Sequence, residues 1–453
     1  MSGPRERDRM AHIALTRFGM GAKPGGLRRI ADDPRGALLE ELSTRSVSRI
    51  PGRGLPSYKE ACRIVHTSFE AENDLCQREL EARMRKHLEP EIGFVERLVI
   101  FFSNHFSMSI NKDGAVRATI GQLERDVIRA HVQGKFPDML LGVMQHPAMM
   151  EYLDNASSIG PNSSVGLSWG AGMNENLGRE LLELHTLGVG GGYTQADVQA
   201  LTRILTGWSY VRGWEARHGW NGGRRGNRGQ FIFRADWHEP GSHRLLGRNF
   251  GASGQSKGRA ALRMLALHPS TAEFLAFKLV RHFITDTPTQ AMVDRVARAY
   301  TRSDGDLRAT ARALINLPEA WSLPLTKLRT PYEVQIAQMR AMNRFYPERL
   351  RWAWREPLRA LRNLPWERGP PDGYSDDTAY WISPDAVRIR AETAHTNVWA
   401  LLEFRGWRGN PQALARSLFG KALSRPSRDA LAQITNQRQG LATLFQLPEF
   451  QRR

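Results

Sequence analysis

"NENLGRELLELHTLGVGGGYTQADVQALTRILTGW", residues 174–208, carries the clearest helix signals of the chain. At roughly 100° of turn per residue, its leucines and its charged side chains separate onto two faces of a helix. Gly188 predicts the end of this helix, and Thr194 with Asp197 predicts a capping box that starts the next one. The stretch therefore predicts two helices joined by a glycine-rich turn.

Helical spacing of apolar residues continues through most of the 453 residues. The stretch 211–250 interrupts it with a Gly/Arg/Trp-rich loop, followed by "QFIFRA" and "HRLLG" on either side of Pro240-Gly241. These two short runs predict a small β-hairpin. We expect a mostly α, two-lobed multi-helical protein: an N-terminal helical lobe (1–210), a loop and hairpin insertion (211–250), and a C-terminal helical lobe (251–453).

The formal net charge is +18, and only nine of the 64 basic residues are lysine. A positive field of this size favours an acidic partner or a polyanion. The arginines are spread along the chain, however, which a GC-rich genome would also produce. "GGRRGNRG" with Trp214 and Trp220 is the one segment typical of nucleic-acid binding, and it is short and unrepeated.

Two cysteines, Cys62 and Cys76, exclude a disulfide scaffold and an all-cysteine metal site. The first residues, "MSGPRERDRMAHIALTRFGMG", contain no apolar export segment, and the longest clean apolar run, 98–102, is too short to span a bilayer. As written, the sequence predicts a cytoplasmic protein without a membrane span. A misplaced start would instead allow the cell envelope.

One face of the first signature helix carries the candidate chemistry, namely Asn176, Arg179, Glu180 and Glu183. Paired carboxylates whose ionisation is set by an arginine are typical of acid/base or metal sites. The i, i+4 spacing of Glu175, Arg179 and Glu183 is equally typical of a structural ion-pair ladder. His185 falls on the opposite side, so it cannot share a metal ion with both glutamates on an undistorted helix.

Further candidates lie outside this helix. His105 has the spacing of an apolar helix face, which fits either a core histidine or a ligand at the mouth of the core. His238 lies in the predicted hairpin turn and could reach the acidic helix. The substrate-binding candidates are Asn176 on the signature helix and four residues at loop positions: Asp154 and Asn155 before a Gly/Ser-rich loop, and Asp372 and Tyr374 in "GPPDGY".

The chain resembles a bacterial family known only as domain of unknown function eighteen hundred. The resemblance rests on residues 174–208, together with "LVIFFSNHFSMS", "HPAMMEYLDNASS", "HEPGSHRLLG", "HPSTAEFLAFKLVRHFITDTP", "LRTPYEV" and "GPPDGY". Members are helical, often carry an export signal, and are often encoded beside a sulfatase-like protein. The resemblance therefore implies a helical fold and such a partner, but no settled activity.

This sequence departs from the family pattern at two places. It lacks the export signal, and it has Phe101-Phe102-Ser103 where a tryptophan and a second histidine are expected before Asn104-His105. A role that depends on paired histidines at that position is weakened.

We hypothesise a pocket between the lobes that belongs to a hydrolase-like enzyme, with a divalent metal as a cofactor that the sequence neither requires nor excludes. His105, Arg179, Glu180, Glu183 and His238 are its catalytic candidates. The alternative is a non-catalytic helical scaffold or partner of a sulfatase-like protein; nucleic-acid binding ranks third.

Overall fold

Helices make up most of the computed structural model, which describes residues 4–52, 54–219, 227–251, 254–343, 351–405 and 407–453. Those of the first half are α1 (Pro4–Ile13), α2 (Gly26–Ile30), α3 (Pro34–Ser43), α4 (Tyr58–Ile64), α5 (Phe69–Leu88), α6 (Phe94–His105), α7 (Gly114–Gln122), α8 (Arg129–His131), α9 (Phe136–Met144), α10 (Pro147–Tyr152), α11 (Ser164–Trp169), α12 (Asn176–Glu180), α13 (Gln195–Leu205) and α14 (Gly213–His218). Those that follow are α15 (Gln255–Ala266), α16 (Pro269–Phe283), α17 (Gln290–Arg302), α18 (Leu307–Ile315), α19 (Glu319–Ser322), α20 (Pro331–Ala341), α21 (Arg351–Ala360), α22 (Pro384–Arg405), α23 (Pro411–Phe419), α24 (Arg425–Ala432), α25 (Gln437–Gln446) and α26 (Pro448–Gln451). The mostly α prediction is confirmed.

Short segments of other helix types extend or link these helices. π-helical turns are formed by Ala14–Phe18, Leu123–Ile128 and Leu181–His185, and 3₁₀ turns by Asn155–Ser157, Thr378–Trp381 and Gly420–Ala422. A π turn widens the helix by one residue and is common near functional sites. The third π turn directly continues α12 and carries Glu183 of the predicted site.

Four short strands form two separate antiparallel pairs: β1 (Trp208–Tyr210) with β2 (Phe231–Phe233), and β3 (His243–Leu245) with β4 (Arg248–Phe250). The predicted small hairpin is confirmed as β3–β4, but its predicted pairing of "QFIFRA" with "HRLLG" is wrong. The two-residue loop Leu246-Gly247 has positive φ at both positions (47° and 78°), as a type I′ turn requires. Leucine is an unusual residue there, which hid the turn from sequence analysis.

The local helix signals of the signature stretch are confirmed. Asn174 Oδ1 accepts the amide hydrogen of Asn176 at 2.9 Å, and Thr194 and Asp197 form the expected capping box. Gly188 has φ +83°, and a Cβ there would lie 2.7 Å from the Phe274 ring. This position therefore needs glycine both for its backbone conformation and for close packing against α16.

One hydrophobic cluster runs through the molecule and includes Ala11, Leu205, Leu245 and Phe450. Residues before, within and after the predicted insertion therefore share a core, and β1 at the end of the first predicted lobe pairs with β2 inside the insertion. The division into 1–210, 211–250 and 251–453 stays a prediction.

Of the basic segment in the insertion, residues 220–226, including Trp220, lie outside the described residues. Over the described ranges, no helix has both the length and the apolar character needed to cross a membrane.

Charged side chains also lie in the interior, where they pair with each other. Glu96 binds Arg129 through both oxygens (2.7 and 3.0 Å) and His87 Nδ1 (2.7 Å), while Glu124 binds Arg83 (2.8 Å) and Arg129 (3.3 Å). Burial alone would raise the pKa of Glu96, but Arg129 and His87 outweigh burial and lower it to about 2. This network fixes α5, α6 and the helix containing Arg129 relative to one another.

The replacement Glu96→Gln is expected to lower the free energy of unfolding by about 3–5 kcal/mol, because it leaves the Arg129 guanidinium buried without its counter-charge. Urea denaturation at pH 7 measures this. Glu392→Gln is the matched control: it removes an exposed ion pair with Arg388, in which both side chains are 59% exposed, and should change the same quantity by less than about 1 kcal/mol. Equal effects of the two variants would contradict the structural role of the buried network.

Candidate functional site

The signature helix, α10 and the loop 369–374 meet at one surface. Tyr152 Oη donates a hydrogen bond to the carbonyl oxygen of Gly369 at 2.5 Å. Burial raises the pKa of Tyr152 to about 12, and the charges of Glu180 and Asp372 add to this effect. Two of the predicted site residues, one from each segment, therefore lie near the same tyrosine.

Asn104 at the end of α6 holds the loop in place. Its Nδ2 donates to the carbonyl oxygen of Tyr374 at 2.8 Å, and its Oδ1 accepts the Tyr374 amide hydrogen at 2.7 Å. Gly373 has φ +79°, and a Cβ there would lie 2.5 Å from the carbonyl oxygen of Asn104. The Tyr374 hydroxyl is itself bound to the carbonyl of Leu364 at 2.7 Å, so this side chain anchors the loop.

Glu180 and Glu183 lie half-buried on α12 and its π turn. In the described part of the chain, neither carboxylate has an ion-pair or hydrogen-bond partner. Burial raises the pKa of Glu180, the charges of Glu183 and Asp372 raise it further, and Arg179 opposes them. Three carboxylates from two segments thus act on one another without a cation bound directly to either glutamate.

The ladder alternative predicted that Arg179 would pair with both Glu175 and Glu183, but among the described residues it pairs only with Glu175. Its Nη2 binds Glu175 Oε2 at 3.0 Å and Gln195 Oε1 at 3.0 Å, and Gln195 Nε2 donates to the same Glu175 oxygen at 2.9 Å. The guanidinium therefore links Glu175 to Gln195 of α13 and, among the described residues, makes no ion pair with Glu183. Glu183 is left without the arginine that the i, i+4 spacing offered.

Lys278 of α16 contacts the predicted site residue His105, and the sequence analysis missed it. Its Nζ donates to His105 Nδ1 at 3.1 Å and lies 5.3 Å from the centre of the Phe274 ring. Burial lowers the pKa of Lys278 to about 8, while the charges of Asp376 and Asp372 act in the opposite direction. A lysine flanked by apolar residues in "EFLAFKLVRHF" was the available signal.

His105 and His185 form a reciprocal pair. His105 Nε2 donates to the carbonyl oxygen of His185 at 3.2 Å, and His185 Nδ1 donates to that of His105 at 3.0 Å. Burial holds the pKa of His105 well below its ordinary value and lowers that of His185 to about 3. Both rings are neutral, and His105 Nδ1 is the acceptor that orients the Lys278 ammonium group.

Asp154 and Asn176 form a polar rim next to the glutamates. Asn176 Nδ2 donates to Asp154 Oδ2 at 3.2 Å, and Lys112 Nζ lies 3.0 Å from the same carboxylate. Asp154 adopts a left-handed backbone conformation, φ +59°, at the end of α10. Two of the five predicted substrate-binding residues are therefore in contact.

The structure does not bring Asn155 and His238 to the glutamates. Asn155 is buried, and its Nδ2 donates to the carbonyl oxygen of Trp208 at 3.0 Å, which ties the α10 end to β1. His238 Nδ1 donates to the carbonyl of Thr206 at 2.9 Å, and its ring packs against Phe233. Both residues support the strand region.

A small cavity of about 60 Å³ lies behind the loop and is lined in part by Asn104, His282 and Asp376. His282 Nδ1 donates to Asp376 Oδ1 at 2.6 Å, and Arg97 Nη2 donates to His282 Nε2 at 3.0 Å. Both ring nitrogens are thus engaged. Sequence analysis missed His282 and Asp376, because neither has a local pattern that sets it apart.

Within the residues that the structure describes, no three His, Cys, Asp or Glu side chains are grouped so that they could hold a metal ion. The divalent metal considered from the sequence therefore has no ligand set among these residues.

Glu180→Gln is expected to raise the melting temperature at pH 7 by on the order of 1 °C, because it removes a half-buried charge that two like charges oppose. Folding raises the pKa of Glu180 above its ordinary value of 4.5. The folded protein therefore binds more protons than the unfolded chain between these two pKa values, and it loses stability as the pH rises from the lower to the higher one. The gain should therefore be small at pH 4. Differential scanning calorimetry at both pH values checks this, with Glu273→Gln, an exposed glutamate of α16, as control. A lower melting temperature for Glu180→Gln at pH 7 would show that this carboxylate is stabilising.

No curated protein and no solved structure matches the chain. The family described as "Protein of unknown function (DUF1800)" matches residues 13–452. The match covers the signature helix, the His105 segment, α16 and the loop 369–374 in one continuous stretch. The chain therefore belongs to the DUF1800 family.

Proposed function

We propose that the chain is a hydrolytic enzyme that uses the carboxyl groups of Glu180 and Glu183 for acid–base chemistry beside the loop 369–374. One observation carries the proposal: the two glutamates lie half-buried next to Asp372 and have no ion-pair partner among the described residues. Such an arrangement costs stability, whereas the buried carboxylates of Glu96, Glu124 and Glu333 are bound by arginines. Unpaired, mutually repelling carboxylates are typical of acid–base sites.

The charges around the two glutamates decide which one acts as the general acid and which one as the general base. Because burial and the neighbouring charges raise its pKa, Glu180 keeps a proton at a higher pH than an ordinary glutamate. This makes it the better general acid. Glu183, the other carboxylate of the pair, is then assigned the role of general base.

Hydrolysis would proceed as a single displacement. Glu183 takes a proton from a water molecule as the water oxygen forms a bond to the electrophilic centre of the substrate. The bond to the leaving group breaks, and Glu180 transfers its proton to the leaving-group atom. Atoms and charge balance, and a second proton exchange with solvent restores the starting state.

Lys278 has the properties of an electrostatic stabiliser. With a pKa of about 8 it is mostly an ammonium ion at neutral pH. His105 accepts one of its three N–H groups and leaves two for a developing oxyanion. In this proposal His105 is a positioning residue that acts through Lys278, and His238 has no part in the chemistry.

Substrate binding is assigned to the polar rim. Asn176 and Asp154 offer an amide and a carboxylate to hydroxyl or amide groups of a substrate, and Arg179 offers a guanidinium to a negative group. Asp372, which Arg368 binds at 3.2 Å, adds a carboxylate whose charge acts on Glu180. Tyr374 contributes by fixing the loop. The partner role beside a sulfatase-like protein stays a prediction.

A non-catalytic scaffold is the competing interpretation, and the bonds among Arg179, Glu175 and Gln195 favour it. That network links α12 to α13 as a structural ladder would. It does not include Glu180 or Glu183, which is why we favour the enzyme.

The test uses a panel of chromogenic esters, amides and glycosides with the wild-type chain and the variants Glu180→Gln, Glu183→Gln and Lys278→Met. We expect kcat to fall at least about 100-fold in each glutamate variant while folding is retained. Glu180→Gln should also remove the alkaline limb of the pH profile of kcat/KM, since that limb reports loss of the acid's proton.

Glu273→Gln serves as the matched control, because this glutamate is on α16 with Lys278 but is exposed and binds Gln290. Its activity should equal that of the wild type. No turnover over the whole panel, or turnover that Glu180→Gln and Glu183→Gln leave unchanged, would overturn the proposal.

A further inference from the structure

A second cavity, of about 570 Å³, lies on a different part of the surface. It is formed by the loop after α3, the segment 125–134 and the start of α18. Five arginines line it, namely Arg45, Arg49, Arg125, Arg129 and Arg308, together with one acidic residue, Asp126. None of the residues proposed above for hydrolysis lines this cavity.

Two of these arginines are already neutralised. Arg129 is bound to Glu96 and Glu124 in the buried network. Arg125 binds Glu79 at 2.6 Å, and its Nε donates to Asp126 at 3.2 Å. The only carboxylate lining the cavity is therefore itself paired with an arginine.

The other three arginines have no such partner. In the part of the chain that the structure describes, no carboxylate pairs with the side chains of Arg45, Arg49 or Arg308, and no hydrogen bond satisfies them. The Nε of Arg308 is buried without a hydrogen-bond acceptor. A buried N–H group without an acceptor costs free energy, which an anion in the cavity would recover.

The loop that carries two of these arginines is held rigidly. Ser48 Oγ donates to the carbonyl oxygen of Arg129 at 3.0 Å, and Arg129 Nη1 donates to that of Ser48 at 3.0 Å. Gln133 Nε2 donates to the carbonyl oxygen of Leu42 at 2.7 Å, in the last turn of α3 just before this loop. Arg45 and Arg49 lie on either side of Ser48, so the backbone that presents them is fixed before any ligand binds.

We propose that this cavity binds the phosphate group of a small phosphorylated molecule. Guanidinium groups match the geometry of phosphate oxygens and bind them in pairs. The cavity is concave, and its volume lies in the range typical of small-molecule sites, so it has room for an organic group beyond the phosphate. A long polyanion would be better served by an open basic stripe.

Isothermal titration calorimetry at constant ionic strength tests the proposal, with inorganic phosphate and glucose 6-phosphate as probes and a heparin oligosaccharide as the polyanion arm. We expect saturable binding of glucose 6-phosphate, about tenfold weaker in each of Arg45→Gln, Arg49→Gln and Arg308→Gln. If inorganic phosphate binds as tightly as glucose 6-phosphate, the phosphate group alone accounts for the affinity. If inorganic phosphate binds more weakly, the organic group contributes as well. Both results support a phosphate site.

Arg312→Gln is the matched control, since Arg312 is an exposed arginine on the same helix as Arg308 and does not line the cavity. Its affinity should match the wild type. Absence of binding by both phosphates, an equal loss of affinity in Arg312→Gln, or binding of heparin alone would overturn the proposal. Melting temperatures of all variants show that they are folded, and removal of unpaired like charges should not lower them.

Discussion

A chain of buried charges running through Arg97, Glu333 and Arg453 is the constraint on which the rest of the structure depends. Glu333 binds Arg97 with one oxygen and Arg453 with the other, each at 3.0 Å, and Arg97 also donates to His282, which binds Asp376. Burial would raise the pKa of Glu333, but Arg453 and Arg97 outweigh burial and lower it to about 2. Because an unpaired buried ion is very costly, α6, α16, α20 and the segment after the loop 369–374 must stay together.

The candidate site is built on the same elements. Asn104 and His105 end α6, Lys278 lies one turn before His282 on α16, and Asp372 lies four residues before Asp376. The buried charges thus fix the backbones from which the site's side chains project. Preorganised polar groups on rigid elements are what electrostatic catalysis requires.

Two classes of charged side chain can therefore be distinguished in this protein. Glu96 and Glu333 are buried, paired and stabilising, whereas Glu180 and Glu183 are half-buried and have no cation partner in the part of the chain that the structure describes. The arginines divide in the same way: Arg125 and Arg129 are neutralised by glutamates, whereas Arg45, Arg49 and Arg308 have no carboxylate partner among the described residues. The sequence shows glutamates and arginines at helical spacing in all these places. Only the partners tell the classes apart.

The sequence by itself determined the features that depend on neighbours within a few residues. These are the ends of the two signature helices, the polar face of the first one with Glu180 and Glu183, and the mostly α fold. Only the tertiary structure decided which groups meet. Lys278 binds His105 from 173 positions away, Arg179 turns to Glu175 and not to Glu183, and β2 pairs with β1 and not with β3. Helix signals arise from hydrogen bonds and packing within one or two turns, so they can be read along the chain. The pairing of charges depends on distances and burial in the folded molecule, and those exist only once the distant segments have packed.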